Sequence, residues 1–299
     1  MTPTFSTSPR TDAFFAGAAA AKIRACEQDL VDDARRYPDL FPDKPFATVY
    51  GEVAKTMVFS APWCAPDDLA ITCRTILWIF ALDWLVDHVA ESRRDVADLT
   101  AECLAVRAGR PPGSSLARML FDIREDLRAE PMFAQLGRLW DEELTKMIDA
   151  MSREWDWKRS FRGATPSAVR PTLEEYLANS ANFGCTFTNV TFWISSGDPE
   201  AAASIEELRP ASDTAQRALR LVNDLASSER EKTWGDINVF ALGLDRAQVV
   251  ERIARVRRTF EDALLSLDRS SPVQADFLRR QLEYSVTYYS DGADYWYAD

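Results

Sequence analysis

Apolar residues along this chain recur every three to four positions and almost nowhere alternate one by one, which is the mark of helices rather than strands. The pattern predicts helices over Ala13–Tyr37, Ala47–Phe59, Asp67–Ser92, Leu116–Arg128, Pro131–Lys158, Leu173–Ser196, Ala211–Glu229, Arg246–Asp268 and Pro272–Ser290. Breaks fall at Tyr37-Pro38, Pro42–Pro45, Ser60–Pro66, Gly109–Ser115, Ser160–Pro171 and Gly197–Pro210, where Pro, Gly and Ser gather. None of these breaks has the length or composition of an interdomain linker. Glycine is scarce, 11 of 299 residues, and no Asn-Gly or Asp-Gly turn sits between alternating apolar runs, so hairpins are not expected. The fold class that follows is all-α: one helical domain over 11–299, with a disordered tail over 1–10 that is rich in Thr, Ser and Pro.

Two predicted helical segments, Thr75–Val89 and Cys185–Ile194, are apolar nearly all round, as helices at the centre of a bundle are. A polar group inside such a helix is costly unless it is paired or used. The first segment carries Asp83 and Asp87, four residues apart and so on one helical face. Two carboxylates about 6 Å apart repel when both are ionised, and a divalent cation between them removes the conflict. Pairing of Asp87 with a Lys or Arg at the helix end is the plainer alternative. A second polar stripe lies 140 residues further on. There Asn223, Ser227 and Glu231 present an amide, a hydroxyl and a carboxylate at four-residue steps, each step advancing about 400° around the helix. These are hard oxygen donors without His or Cys among them, a set suited to Mg²⁺ rather than zinc or copper. Mg²⁺ held by few protein ligands keeps positions open for phosphate oxygens. The two stripes facing each other across a bundle would form a metal-bridged diphosphate site above a dry, apolar pocket.

Charge and composition agree with this picture. The net charge of −12 excludes a basic nucleic-acid surface, and an acidic protein that binds a polyanion needs cations as mediators. Nine Trp, eight Tyr and sixteen Phe exceed what a surface requires, so some are available to line a cavity. Five widely spaced cysteines without a CxxC pair read as reduced thiols in a cytoplasmic protein. No apolar run reads as a membrane span, and Met1 to Arg10 lacks the apolar stretch of a signal peptide.

With both stripes in view, the chain resembles the class I terpene synthases, in the bacterial form that has only the catalytic α domain. The likeness runs from Ala65 to Val239, and Asn223–Glu231 fits the family pattern NDxxSxx(R/K)E at every defined position. The resemblance implies a helical bundle around a central apolar cavity and three Mg²⁺ ions. Asn223, Ser227 and Glu231 would hold one ion and the aspartate motif the others, with Arg230 and Lys232 on the diphosphate. Asp224 would make supporting hydrogen bonds. Gly184 matches the glycine that breaks a central helix in this family.

Three positions depart from the pattern. The motif DDxxD has Trp84 at its second place, leaving Asp83 and Asp87. Glu175–Ser180 resembles EYLxxR, with Ser180 where the family carries an arginine that senses diphosphate. The C-terminal Arg-Tyr pair is replaced by Asp294-Tyr295. Loss of these cations resembles the bacterial labdane-related diterpene synthases, which take a bicyclic copalyl-type diphosphate from a separate class II cyclase. No DxDD is present for that earlier protonation. The implied activity is ionisation of a copalyl or labdadienyl-type diphosphate to an allylic cation, giving a labdane-related diterpene such as a biformene-type labdatriene. A cyclase acting directly on farnesyl or geranylgeranyl diphosphate is the alternative. A squalene- or phytoene-type synthase should carry two DxxxD motifs, and a non-catalytic helical interaction protein leaves the polar stripes without a purpose. A homodimer is compatible with this class.

Of the remaining residues, His88 is the sole histidine and reads as a solvated residue past the helix core, with a proton acceptor as the alternative. Trp78, Phe80, Phe183, Phe187 and Trp193 are expected in the core, some of them facing the pocket. Tyr288, Tyr289, Tyr295 and Trp296 form an aromatic tail that could cap it. The loop Lys232–Ile237, which carries Trp234 and Gly235, is placed to close over bound diphosphate.

Overall fold

In the computed structural model the backbone is described over residues 9–162, 170–234, 237–290 and Tyr295, and side chains over 13–160, 170–228, 237–290 and Tyr295. The described residues form helices and connecting turns without a strand. In chain order they are α1 (Pro9–Ala34), α2 (Asp43–Phe46), α3 (Val49–Ser60), α4 (Pro66–Trp84), α5 (Arg93–Val106), α6 (Ser115–Ala129), α7 (Phe133–Arg162), α8 (Leu173–Ala178), α9 (Cys185–Ser195), α10 (Pro199–Ala203), α11 (Ile205–Trp234), α12 (Arg246–Ser270) and α13 (Pro272–Ser290).

The two all-apolar segments lie where their patterns place them. Helices α4 and α9 pack on each other at the centre, ringed by α1, α3, α6, α7 and α11, and α13 reaches α9 where Phe277 stacks on Phe192. Trp78, Trp140, Phe187 and Trp193 are almost wholly buried there, and the Trp78 indole N–H donates to the Leu116 carbonyl at 2.9 Å. Contrary to the expectation of no membrane-length apolar run, the span Pro66–Val89 is long and apolar enough to cross a membrane, with mean hydropathy 1.7. It lies in the heart of the bundle, with 61% of its most apolar window buried, and that burial accounts for its composition.

Four local differences from the predicted pattern have physical reasons. The α4 helix widens after Trp84 into a single π turn, Leu85–Val89, closed by Ala90 N–H donating to the Leu85 carbonyl at 2.8 Å. Helix α5 lies where no element was expected. Its signal is a capping box in which Ser92 accepts from the Asp95 N–H while the Asp95 carboxylate accepts from the Ser92 N–H. The expected break before Ala211 is absent, since α11 starts at Ile205 and carries Pro210 in its second turn, where the missing N–H forfeits one bond near the helix start. The expected continuous helix over Leu173–Ser196 is interrupted. After α8 a 3₁₀ turn, Ser180–Phe183, leads to Gly184 at φ 66°, and α9 starts afresh.

At Gly184 the lack of a side chain and a left-handed backbone together decide the packing. A Cβ there would come within 2.7 Å of Ile79 Cδ1 and 2.8 Å of Met147 Sδ, and its left-handed backbone suits only glycine without strain. The break therefore seats α9 directly against α4 and α7.

Candidate active site

Asp83 in the last turn of α4, Asp87 in the π turn and Asn223 on α11 all line one cavity of about 240 Å³. In a regular helix four residues overshoot a full revolution by about 40°. The π turn takes in an extra residue, so the step from Asp83 to Asp87 closes nearer to one revolution. Asp87 also meets the expected cationic neighbour, since buried Lys158 on α7 places its ammonium 3.4 Å from the Asp87 carboxylate. His88 is exposed, as expected, stacks on Trp84 at 4.5 Å and lines the cavity.

On α11, Ser227 is buried one turn beyond Asn223. Its hydroxyl donates to the Asn223 carbonyl at 2.7 Å and lies 3.4 Å from the Asn223 side-chain oxygen. The α11 backbone continues past Arg230, Glu231 and Lys232, whose side chains lie outside the described residues, as do Gly235, Asp294 and Trp296. Asp224 does support rather than face the cavity alone. Its carboxylate accepts from the Tyr176 hydroxyl at 2.9 and 3.0 Å and from the Val239 N–H at 3.0 Å, tying α11 to α8 and to the chain that follows α11.

A buried cation that sequence spacing did not reveal lies one turn below. Arg220 lines the cavity, donates at 2.9 Å to both oxygens of Glu154 and at 2.6 Å to the Asn182 oxygen, and sits 3.6 Å above the Tyr176 ring. Burial by itself disfavours this charge, but Glu154, Tyr176 and Asp224 more than offset it and hold the guanidinium firmly protonated. Glu154, Tyr176 and Asn182 come from three separate elements, so no local motif announces them. Ser180, in the place of the family's sensing arginine, is buried and donates to the Leu177 carbonyl at 2.7 Å.

Below the mouth the walls are Ile76, Ile79, Phe80, Phe183, Leu219 and Ile237. Of the five expected aromatics, Phe80 and Phe183 therefore reach the cavity, while Trp78, Phe187 and Trp193 are core. Tyr289 and Tyr295 complete one wall. Tyr295 bonds to Thr56 through its hydroxyl at 2.5 Å, and its ring lies 5.3 Å from Phe80. A wider groove of about 730 Å³ on the outer face of α7 is lined by charged side chains such as Arg107, Lys146 and Asp149 and contains none of the expected site residues.

Asp83, Asp87 and Asn223 bring two carboxylates and an amide oxygen to the cavity lining, all hard donors, and this chemistry fits a small divalent cation with open positions. Among the described residues no three His, Cys, Asp or Glu side chains converge, so a site of softer or all-carboxylate type is not built there.

Hard oxygen donors at the rim of an aromatic-walled cavity in a helical bundle define the isoprenoid synthase class, and the solved structures of that fold agree. The 2-methylisoborneol synthase of Streptomyces coelicolor A3(2) matches at TM-score 0.68 and 16% identity, over 100% of this chain and 95% of that one. The linalool/nerolidol synthase of Streptomyces clavuligerus in complex with 2-fluorogeranyl diphosphate matches at TM-score 0.61 and 19% identity, over 91% and 94%. Residues 74–255 match the family "Terpene synthase family 2, C-terminal metal binding", and the chain belongs to it. It is a bacterial class I terpene synthase, a lyase acting on prenyl diphosphates with a divalent metal. An ent-pimara-9(11),15-diene synthase from Streptomyces sp. (strain KO-3988) is 26% identical over 273 residues, 89% of this chain and 90% of that protein. A chloroplastic dolabradiene synthase of Zea mays is 29% identical over 173 residues, and the match spans only 19% of its length.

Proposed function

We propose that this enzyme is a Mg²⁺-dependent diterpene synthase that ionises a copalyl or labdadienyl-type diphosphate and releases diphosphate and a labdane-related diterpene, such as a biformene-type labdatriene. The observation that carries the reading is the cavity shared by Asp83, Asp87 and Asn223, with apolar and aromatic walls below them. The full-length likeness to a diterpene synthase supports the substrate size. The substrate would come from a separate class II cyclase, and residues 11–299 act as one catalytic domain.

Asp83, Asp87, Asn223, Ser227 and Glu231 would hold the metal, three Mg²⁺ ions in all, whose charge draws off the diphosphate when bound. For Ser227 this asks for a rotation, because its hydroxyl now points back to the Asn223 carbonyl. Arg230 and Lys232 contact the diphosphate from the end of α11. With Ser180 in the sensor place, Arg220 is the described cation nearest the cavity and supplies positive potential there. Gly184 lets α9 start beside the cavity. The faces of Phe80 and Phe183 stabilise the hydrocarbon cation, and the closed apolar walls keep water from quenching it.

The test is incubation with Mg²⁺ and, separately, farnesyl, geranylgeranyl and copalyl diphosphates, followed by hydrocarbon analysis. Copalyl diphosphate is expected to give the dominant product, and turnover of geranylgeranyl but not copalyl diphosphate overturns the labdane assignment. Asn223→Ala is expected to lower turnover by about 100-fold or more, the scale of losing a metal-site partner. Unchanged turnover removes the stripe from the mechanism.

A further inference from the structure

One wall of the cavity is the end of a hydrogen-bonded chain that runs to the partly exposed Lys146. Asp213 on α11 receives both its salt-bridge bonds from Lys146, at 2.8 and 2.9 Å, and as a carboxylate it can only accept. The Thr186 hydroxyl therefore donates to it, at 2.8 Å. With that hydrogen committed, Ser212 must donate to Thr186, at 3.1 Å. Asn189 must then offer its N–H to Ser212, at 2.8 Å, which fixes the orientation of its amide and turns its oxygen toward Gln281. Gln281 answers with its N–H at 2.9 Å, leaving its own oxygen to accept from Asn189 at 3.0 Å and from the Cys185 thiol at 3.4 Å. From Ser212 to Asp213 each hydroxyl donates outward, and Asn189 and Gln281 exchange reciprocal bonds, so the orientation of the chain is set from its charged end.

Cys185 and Gln281 both line the cavity. The only hydrogen on Cys185 is directed to Gln281, and its sulfur accepts from the Asn189 amide at 3.7 Å, which leaves one lone pair uncommitted where the thiol lines the cavity. Burial, the first cause, together with Asp213 pushes this thiol up to about 12, so it stays a neutral dipole and does not become a nucleophilic thiolate. We propose that Cys185 is the electron-rich point against which the hydrocarbon cation is held in its final position before proton loss, and that the chain to Asp213 keeps its dipole aligned. Fixed dipoles aimed at developing charge are most effective in a water-excluded site, sulfur is polarizable, and a directed chain of hydrogen bonds strengthens each member. This inference rests on the proposed function, in that a carbocation must form in this cavity.

The experiment compares wild type with Cys185→Ala, Cys185→Ser and Thr186→Val, measuring diphosphate release and hydrocarbon products separately. Cys185→Ala is expected to release diphosphate at a rate close to wild type, while the ratio of main to side products falls by about tenfold, since partition depends on the later barriers. Cys185→Ser keeps a donor and lone pairs and is expected to preserve the main product. Thr186→Val breaks the chain without touching the cavity and should shift the ratio in the same direction, less far. A second readout does not depend on turnover. The Cys185 S–H stretching band, isolated as the wild-type minus Cys185→Ala infrared difference, should move to higher frequency in Thr186→Val as its bond to Gln281 weakens. Product ratios unchanged in both Cys185→Ala and Thr186→Val overturn the proposal, and so does an unmoved S–H band. A wild-type enzyme that releases no diphosphate from any of the three substrates instead overturns the functional reading on which it stands.

Discussion

At the scale of single residues, the site divides into groups that local spacing announces and groups that only folding assembles. Asp83, Asp87 and Asn223 were legible because a four-residue step on an apolar helix is conspicuous, and all three line the cavity. Arg220, Glu154, Asn182 and Lys158 were not, because they come from α11, α7 and the turn after α8, with no fixed offset linking them. Gly184 lies between these cases. Periodicity ran through it, and only the family resemblance marked it as a break. Its replacement by alanine combines a left-handed backbone, about 1–2 kcal/mol, with overpacking against Ile79 and Met147, about 1–3 kcal/mol. Gly184→Ala is expected to lower the Tm by several degrees in a thermal melt. A melt equal to wild type would show that the α8–α9 junction relaxes freely.

Among the elements, caps tell more than periodicity did. Ser92-Arg93-Arg94-Asp95 carried a capping box that starts α5, and Thr172 with Glu175 carries the same device at α8. Backbone and side-chain hydrogen bonds from Ser92 hold the Asp95 carboxyl below its ordinary range, and those from Thr172 do the same for Glu175. A carboxylate lowered in the folded state adds stability that is complete above its unfolded pKa and is lost as pH falls through its folded one. The stability difference between wild type and Asp95→Asn, measured by urea unfolding at a series of pH values, is therefore expected to be constant near neutrality and to shrink under acid conditions. A difference that grows on acidification would contradict the cap. The break expected at Pro210 has the opposite lesson, since the helix runs through a proline in its second turn at the cost of one backbone bond.

For the whole molecule, the helical class and the central place of α4 and α9 followed directly from segments apolar on all sides. The cavity did not, because its shape depends on where α13 and Tyr295 close against α3. At about 240 Å³ it falls just short of the usual 300–1,000 Å³ of ligand sites. Binding should accordingly reshape and tighten the bundle as a unit. Mg²⁺ and inorganic diphosphate together are expected to stabilise the fold by about 2.7 kcal/mol at 100 times their joint Kd, with little effect from either alone. Separate, additive shifts in a thermal melt would argue against a shared site.

The π turn after Trp84 adds one consequence of a different kind. Such a turn is an ordinary helix that has taken in one residue more than its hydrogen bonds require. The alignment of Asp87 over Asp83 thus rests on a number of residues and on no particular side chain. Deleting Leu85 or Val86 would alter no charge among the donors and still swing the rim of the cavity round. Point substitutions explore this rim poorly. Its geometry changes by insertion and deletion, and a relative with a five-residue or three-residue gap between its acids is the place to expect a different mouth.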